Sequence, residues 1–189
     1  VNVVFSMYLY FHNDRMDGMR TLWIALFLGW IGVGVSAQDF YQQEITDKIF
    51  ARIEGKSFKA NCTTPREDLR YLRVLHYNKD REILEGELIC HKDIADELLA
   101  IFQELYKAAY PIERTVLIDE YDADDEASMR ANNTSAFNFR YASGMKRLSS
   151  HSTGMAIDIN PLYNPLVKHR EGQTRVFPTT AAAYMDRTK

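Results

Sequence analysis

An apolar stripe between Asp93 and Pro111 sets the tightest limit on how this chain folds. Its members recur every three or four residues, which is the period of one helix face. Asp93 is a suitable N-cap, and Pro111 cannot continue a helix. We therefore predict a helix here whose apolar face packs on the core through Ile94, Leu98, Ile101, Phe102, Leu105 and Ala109.

Two segments before this helix have the composition of β-strands. Tyr71 to Tyr77 and Ile83 to Cys90 are rich in β-branched, aromatic and leucine residues, and the polar residues 78–81 between them favour a turn. These segments are predicted to form a β-hairpin. Farther upstream, Phe40 to Ile53 has apolar residues at roughly helical spacing, which predicts another helix.

Three segments after the helix also show strand patterns. Thr115 to Ile118 is predicted to be a buried strand that leads into the acidic residues 119–126. Alternation of apolar and polar residues predicts strands at 137–141 and 155–159, the first with its aromatic face buried and Arg140 on the polar face. The acidic residues lack the spacing of a calcium-binding EF-hand, which favours a solvated loop or helix start over a calcium site. From Pro161 onward the chain is predicted to be loop-like.

Length and charge together favour one globular domain. The chain has 189 residues, 46% of them hydrophobic, which is enough for one sizeable core once a leader is removed. Its net charge of -3 comes from interspersed acids and bases. The chain has no long basic run of the kind that would follow a phosphate backbone, so nucleic acid is disfavoured as a partner. We predict a folded domain at residues 38–189 that acts as a monomer.

The residues before this domain resemble a leader. Arg20 precedes an apolar stretch from Leu22 to Val35, and small residues lie just before Gln38. This is the layout of a secretory signal peptide, so residues 1–37 are interpreted as a leader with a signal peptide. The apolar stretch is short for a membrane span and is interrupted by glycines, although a retained anchor is the alternative. We expect an exported protein without a stable membrane span after cleavage, periplasmic or extracellular.

Export also bears on the two cysteines, Cys62 and Cys90. An oxidising compartment would let them pair, so a disulfide is predicted, with two buried thiols as the alternative. A zinc site with two cysteine ligands is disfavoured because the chain has no Cys-x-x-Cys pair.

The segment with the most chemical information is 149–160, which reads Ser-Ser-His-Ser-Thr-Gly-Met-Ala-Ile-Asp-Ile-Asn. His151 and Asp158 are zinc ligand types, and a carboxylate among apolar residues needs a partner for its charge. Gly154 allows a tight turn between them, and the small Ala156 leaves space. Spacing alone favours a surface histidine beside an aspartate bound to backbone amides over a metal site.

The pattern Ser-x-His-x-x-Gly-x-Ala-x-Asp-Ile resembles the signature of a family of zinc peptidases. The family includes VanY-type D-alanyl-D-alanine carboxypeptidases, the D-Ala-D-Ala dipeptidases of vancomycin resistance and the L-alanyl-D-glutamate endopeptidases. The resemblance implies an α+β fold of the hedgehog/DD-peptidase type, with a small antiparallel sheet and flanking helices. It also implies Zn²⁺ as cofactor, with His151 and Asp158 as its first two ligands.

The family's third ligand lies in a later acid-x-x-His element, whose acid is the general base on the zinc-bound water. None of the other histidines, at 12, 76, 91 and 169, has an acid three residues before it. We interpret the domain as incomplete at its C-terminus, and expect this fragment itself to bind zinc weakly and hydrolyse little. A degenerate relative that binds no metal is the alternative.

Two more roles follow from the resemblance. Family members use an upstream arginine to bind substrate or stabilise the oxyanion, and Arg140 is our candidate, with a structural salt bridge as the alternative. Ser149 matches a family serine two places before the histidine and is predicted to contact substrate, with a plain loop serine as the alternative.

The leading functional hypothesis is zinc-dependent hydrolysis of an amide bond in peptidoglycan stem peptides. The first alternative is a non-catalytic, hedgehog-like module that binds zinc or peptide, because hedgehog domains share the fold and zinc site yet act as binding proteins. The second is an exported interaction domain without a metal. Serine hydrolase chemistry is disfavoured because the chain has no Gly-x-Ser-x-Gly motif.

Overall fold

The computed structural model describes residues 39–142, 146–170 and 172–186. The predicted leader and signal peptide therefore lie outside the described residues. Among the helices within these three ranges, none is long and apolar enough to cross a membrane.

A three-stranded antiparallel sheet forms the centre of the domain. Its strands are β1 (Tyr41–Glu44), β2 (Leu69–Tyr77) and β3 (Ile83–His91), in the order β1-β2-β3. The predicted hairpin is confirmed, because β2 and β3 pair along their whole length from Leu69↔His91 to Tyr77↔Ile83. Asn78 closes the turn, since its side-chain oxygen accepts hydrogen bonds from the backbone N–H groups of Asp80 and Glu82, both at 2.9 Å.

Within the described part of the chain, three α-helices accompany this sheet: α1 (Asp47–Ile53), α2 (Lys92–Lys107) and α3 (Asp125–Arg130). The predicted long helix is confirmed as α2, but its N-cap is His91, whose ring accepts a hydrogen bond from the Asp93 N–H, rather than Asp93. The predicted helix over 40–53 is wrong in its first half. Residues 41–44 form β1 and pair with β2, and the helix starts only after Thr46, which caps it.

The two faces of the sheet bury separate apolar clusters, because side chains alternate along a strand. One cluster packs against α2 and contains Leu72, Val74, Leu88, Cys90 and Phe102. The other packs against α1 and contains Ile49, Ile53, Leu69, Tyr71 and Ile89. The prediction of an α+β fold with a small antiparallel sheet and flanking helices is confirmed.

This alternation also explains why the predicted disulfide does not form. Cys90 is fully buried in the cluster beside α2, whereas Cys62 packs against the cluster beside α1. Both cysteines are free thiols. Burial raises the pKa of the Cys90 thiol to about 12, so it stays protonated and inert.

The three predicted strands after α2 are extended segments rather than ladder strands. Residues 115–118 and 137–141 run beside β3, where the Glu87 N–H donates to the Thr115 carbonyl and the Phe137 N–H donates to the Ile89 carbonyl, both at 2.9 Å. The predicted strand at 155–159 makes one antiparallel bridge, Ser135↔Asp158. Phe137 and Phe139 are buried as predicted, but Tyr141 is 58% exposed. Together these segments cover the outer edge of β3.

A second, two-stranded sheet lies in the part predicted to be loop-like. Strands β4 (Leu166–Arg170) and β5 (Gln173–Phe177) pair as an antiparallel hairpin. Four short 3-10 turns complete the described secondary structure: Arg66–Asp68, Ile118–Tyr121, Ser150–Thr153 and Ala181–Tyr184.

A partly buried ion pair ties α1 to the sheet and gives a test of this packing. The Glu87 carboxylate accepts hydrogen bonds from the Arg52 guanidinium at 2.7 and 2.8 Å and from the Tyr71 hydroxyl at 2.6 Å. Arg52 holds the pKa of Glu87 below its ordinary value, despite the opposing effect of burial. The charged form of Glu87 is therefore stabilised by folding.

We expect Glu87→Gln to lower the free energy of unfolding by about 1–2 kcal/mol near neutral pH, since a hydrogen-bonded charge is lost. Because the pKa of Glu87 is lower in the folded state, its contribution is present above the unfolded value of 4.5 and disappears as the pH falls through the folded value. Urea unfolding of the wild type and of Glu87→Gln should show that the difference between their free energies of unfolding shrinks as the pH falls below 4.5. Glu85→Gln is the control, since Glu85 is 67% exposed, and an equal loss in both variants would contradict the prediction.

Candidate active-site cleft

A cleft of about 470 Å³ opens between α3, the segments 140–142 and 147–159, and the hairpin β4–β5. Its wall carries all four residues that the sequence singled out for metal or substrate: Arg140, Ser149, His151 and Asp158. The fold thus brings the predicted site residues together in one concave surface.

His151 is held in the orientation of a metal-ligating imidazole. Its Nδ1 lies 2.6 Å from the backbone carbonyl oxygen of Ala136, and because a carbonyl only accepts, Nδ1 carries the proton and donates it. Its Nε2 lies 3.2 Å from Oδ2 of Asp158. An imidazole that donates one N–H to a backbone carbonyl presents its other nitrogen for ligation.

Asp158 reaches the cleft from a backbone that is fixed on one side. The Asp158 and Ser135 backbones exchange two hydrogen bonds of 3.0 and 3.2 Å. The carboxylate itself is 42% exposed, so it is open to the cleft. Burial opposes charge on both partners, but their attraction outweighs burial, which raises the pKa of His151 and lowers that of Asp158.

The loop that carries His151 is fixed by short-range hydrogen bonds. Ser149 caps the 3-10 turn, since its hydroxyl accepts the His151 N–H at 3.3 Å. The Ser152 hydroxyl is fully buried and exchanges two hydrogen bonds with the backbone of Arg140, at 2.6 and 3.0 Å. Gly154 ends the turn with a φ of +70°. Ser149 thus has a structural role and also lies on the cleft wall, where its predicted contact with substrate stays a prediction.

These donors fit two positions of a zinc site. A neutral imidazole nitrogen beside a carboxylate oxygen is a common zinc donor set, and the second hydrogen bond of His151 is of the kind that orients such ligands. Across the described ranges, no cluster of three or more histidine, cysteine, aspartate and glutamate side chains is placed to hold a metal ion. The described cleft therefore supplies a pair of donors.

Arg140 contributes a positive charge to the same wall. Its guanidinium forms an ion pair with Asp125, with Nη2 2.7 Å from Oδ2. The predicted salt bridge thus forms, and it lies on the cleft wall where the predicted role in substrate binding requires the side chain to be.

Sequence reasoning missed Asp125 as a site residue. The sequence predicts a solvated loop or helix start for the acidic segment, and the start of α3 after the N-cap Asp124 confirms the second alternative. The Asp125 side chain is only 30% exposed, and burial raises the pKa of its carboxyl group, although Arg140 opposes this shift. The one available signal was its first-turn position in an acidic run, which does not by itself point to a cleft.

The hairpin β4–β5 supplies the opposite wall, which sequence reasoning also missed. Leu166, Lys168 and Phe177 line the cleft from this hairpin. The Lys168 ammonium lies 5.3 Å from the centroid of the Phe177 ring. This wall is apolar with a positive charge at one position, a combination suited to a peptide with an acidic group.

The segment that carries His151 and Asp158 is similar to a known protein family. A family model described as D-alanyl-D-alanine carboxypeptidase matches residues 143–188. The matched range contains Ser149, His151, Asp158 and the hairpin β4–β5, whereas Asp125 and Arg140 precede it. The match supports a peptidase of this family, and the α+β architecture is compatible with it. No curated protein and no solved structure gives a significant match.

Proposed function

We propose that this protein is a zinc-dependent peptidase that hydrolyses an amide bond in peptidoglycan stem peptides, next to a D-amino acid. The observation that carries the proposal is the orientation of His151, whose Nδ1–H is bound to the Ala136 carbonyl while Nε2 lies beside Asp158 in an open cleft. The family match over the same residues supports the reaction class.

In this proposal His151 and Asp158 hold the metal. Bound zinc supplies a Lewis acid that polarises the scissile carbonyl and lowers the pKa of a bound water. Ala136 fixes the ring of His151 through its carbonyl, and Ser135 fixes the backbone of Asp158. The third ligand and the general base that the resemblance implies are not among the described residues.

Arg140 would stabilise negative charge on the substrate. Arg140 lines the cleft with His151 and Asp158 and carries a planar, positively charged group. A fixed cation beside a carbonyl that gains negative charge contributes to the rate, because the charge is larger in the transition state than in the ground state. Ser149 is proposed to contact the substrate from the neighbouring wall position.

The substrate is proposed to be a peptide of the cell wall that carries a free carboxylate. The cleft volume suits a few residues of peptide, and Arg140, Arg147 and Lys168 place cationic side chains along it. An exported enzyme, periplasmic or extracellular, would meet such peptides outside the cytoplasm.

The second candidate is a non-catalytic module that binds zinc or peptide. It is favoured by one observation, since the described residues contain two ligand types in place and no cluster of three. A module that binds zinc would differ from the peptidase in turnover rather than in metal binding.

The test is to express the protein from its complete gene, measure its zinc content, and assay D-alanine release from a muramyl-type pentapeptide ending in D-Ala-D-Ala. We expect about one zinc per chain and release that a chelator abolishes and added zinc restores. Zinc binding without release, from this peptide or from L-Ala-D-Glu peptides, would support the binding module instead. Absence of zinc from a folded protein would overturn the peptidase and leave only a module that binds peptide without a metal.

A further inference from the structure

We propose that Asp125 is a positioning residue that holds the Arg140 guanidinium in the cleft. This inference rests on the proposed function, because it assigns to Asp125 a role exerted through a group that faces the substrate. The contacts of the Arg140 backbone and side chain support this role.

The backbone of Arg140 and its charged end are held by different partners. The Ser152 hydroxyl binds both the N–H and the carbonyl oxygen of Arg140. The Ser149 N–H donates to the same Arg140 carbonyl at 3.0 Å. These bonds place the Cα atom of Arg140 but leave several side-chain torsions undetermined. The position of the guanidinium therefore depends on contacts at its own end.

At that end Asp125 makes the strongest contact. Its Oδ2 lies 2.7 Å from Nη2 of Arg140, whereas Nη1 is 3.4 Å from the Tyr141 carbonyl oxygen, which is a weak hydrogen bond. The Nε atom is buried without a hydrogen-bond partner. Once the Asp125 carboxylate is removed, the guanidinium keeps only the weak bond to Tyr141 and the longer-range attraction of Asp158. We therefore expect it to turn toward water.

Asp125 itself stands on a fixed element. Asp124 caps α3 by accepting the Ala127 N–H at 3.1 Å, and Ser128 within α3 accepts a hydrogen bond from the buried side chain of Asn133. The carboxylate of Asp125 is partly shielded from solvent, which makes its attraction to Arg140 stronger than that of a surface pair.

Asp125 is not placed as a metal ligand. It lines the same cleft as His151 and Asp158, yet the described residues contain no cluster of three such side chains suited to a metal. Its loss should therefore change the geometry of Arg140 and leave zinc binding intact. This separates a positioning role from a ligand role.

The experiment is a double-mutant cycle in the protein from its complete gene, with Asp125→Ala, Arg140→Ala and the double variant. We expect Asp125→Ala to lower kcat/KM by about 10–100-fold in the wild-type background, as for other residues that orient a catalytic group. In the Arg140→Ala background we expect less than about a twofold further loss, because Asp125 acts through Arg140. Zinc content should be unchanged throughout. Asp122→Asn is the matched control for Asp125→Asn, since Asp122 is 87% exposed.

The same loss in both backgrounds would overturn the proposal, and so would loss of zinc. A second measurement does not need turnover: nitrogen NMR of the arginine side chains should show a restrained Arg140 guanidinium that becomes mobile in Asp125→Asn. An unchanged Arg140 signal in that variant would also overturn the proposal. An inactive wild type with a restrained Arg140 would instead count against the proposed function.

Discussion

Replacing His151 with alanine or Asp158 with asparagine is expected to lower kcat/KM by at least about 10³-fold while the domain stays folded. A catalytic metal contributes several kcal/mol to the transition state, and each 1.36 kcal/mol is about a factor of ten in rate. His151→Ala removes one of the two groups that the cleft brings within 3.2 Å of each other, and Asp158→Asn removes the negative charge of the other. The zinc content of both variants should fall in parallel with the activity.

The two substitutions differ in what they leave behind. His151→Ala removes the whole imidazole ring and its hydrogen bond to the Ala136 carbonyl. Asp158→Asn keeps the shape of the side chain and removes only its charge. Suitable controls are His169→Ala, since His169 lies on β4 and does not line the cleft, and Asp47→Asn, since Asp47 is 99% exposed. The zinc content of His151→Ala is measured by atomic absorption. If the zinc-free variant still turned over substrate at the wild-type rate, the metal mechanism would be contradicted.

Local patterns predicted the parts of the fold that depend on neighbouring residues. The helix α2 follows from the 3.6-residue period of its one apolar face, and the hairpin β2–β3 follows from two strand-forming segments on either side of turn residues. His151 and Asp158 are identified as site residues through the resemblance of their segment to a family motif. Both belong to one short segment, so their chemistry is visible before any tertiary contact is known.

The missed features depend on contacts between distant parts of the chain. Strand β1 has only four residues, Tyr-Gln-Gln-Glu, without a β-branched side chain, and it is a strand because β2 offers an edge with which to pair. Asp125 becomes a site residue only when α3 packs beside the segment that carries Arg140. The disulfide prediction was wrong because sequence does not reveal that Cys62 and Cys90 pack on opposite faces of the sheet.

The extended segments show the same limit in another form. Alternation at 137–141 correctly predicted buried Phe137 and Phe139, but it also predicted a polar face turned away from the core. Asn138 is as buried as its neighbours, and its backbone N–H donates to the His151 carbonyl at 3.0 Å. A segment between β3 and the His151 loop is covered on both sides, and the pattern of one strand cannot indicate that.

Gly154 is the point at which the His151 loop depends on the core, and Gly154→Ala is expected to lower the free energy of unfolding by about 2–4 kcal/mol. Its φ of +70° disfavours any other residue, and an added Cβ would lie 2.6 Å from the His91 backbone nitrogen and 3.0 Å from the Cys90 carbonyl carbon. These are backbone atoms at the junction of β3 and α2, which cannot move without disturbing both elements. The His91 N–H also donates to the Gly154 carbonyl at 3.0 Å, so a shift of the loop breaks that bond.

Gly55→Ala separates the two causes of this loss. Gly55 has a similar φ of +77°, but an added Cβ would meet no atom within 4 Å. That variant should lose only the conformational term, about 1 kcal/mol. Chemical unfolding of the two variants measures the difference, which we assign to the contact with His91 and Cys90.

Because Gly154 lies between His151 and Asp158 in the chain, the larger loss should come with weaker zinc binding in Gly154→Ala and unchanged zinc binding in Gly55→Ala. Equal destabilisation by both variants would mean that backbone conformation alone requires the glycine, and that the loop is free to move away from the core.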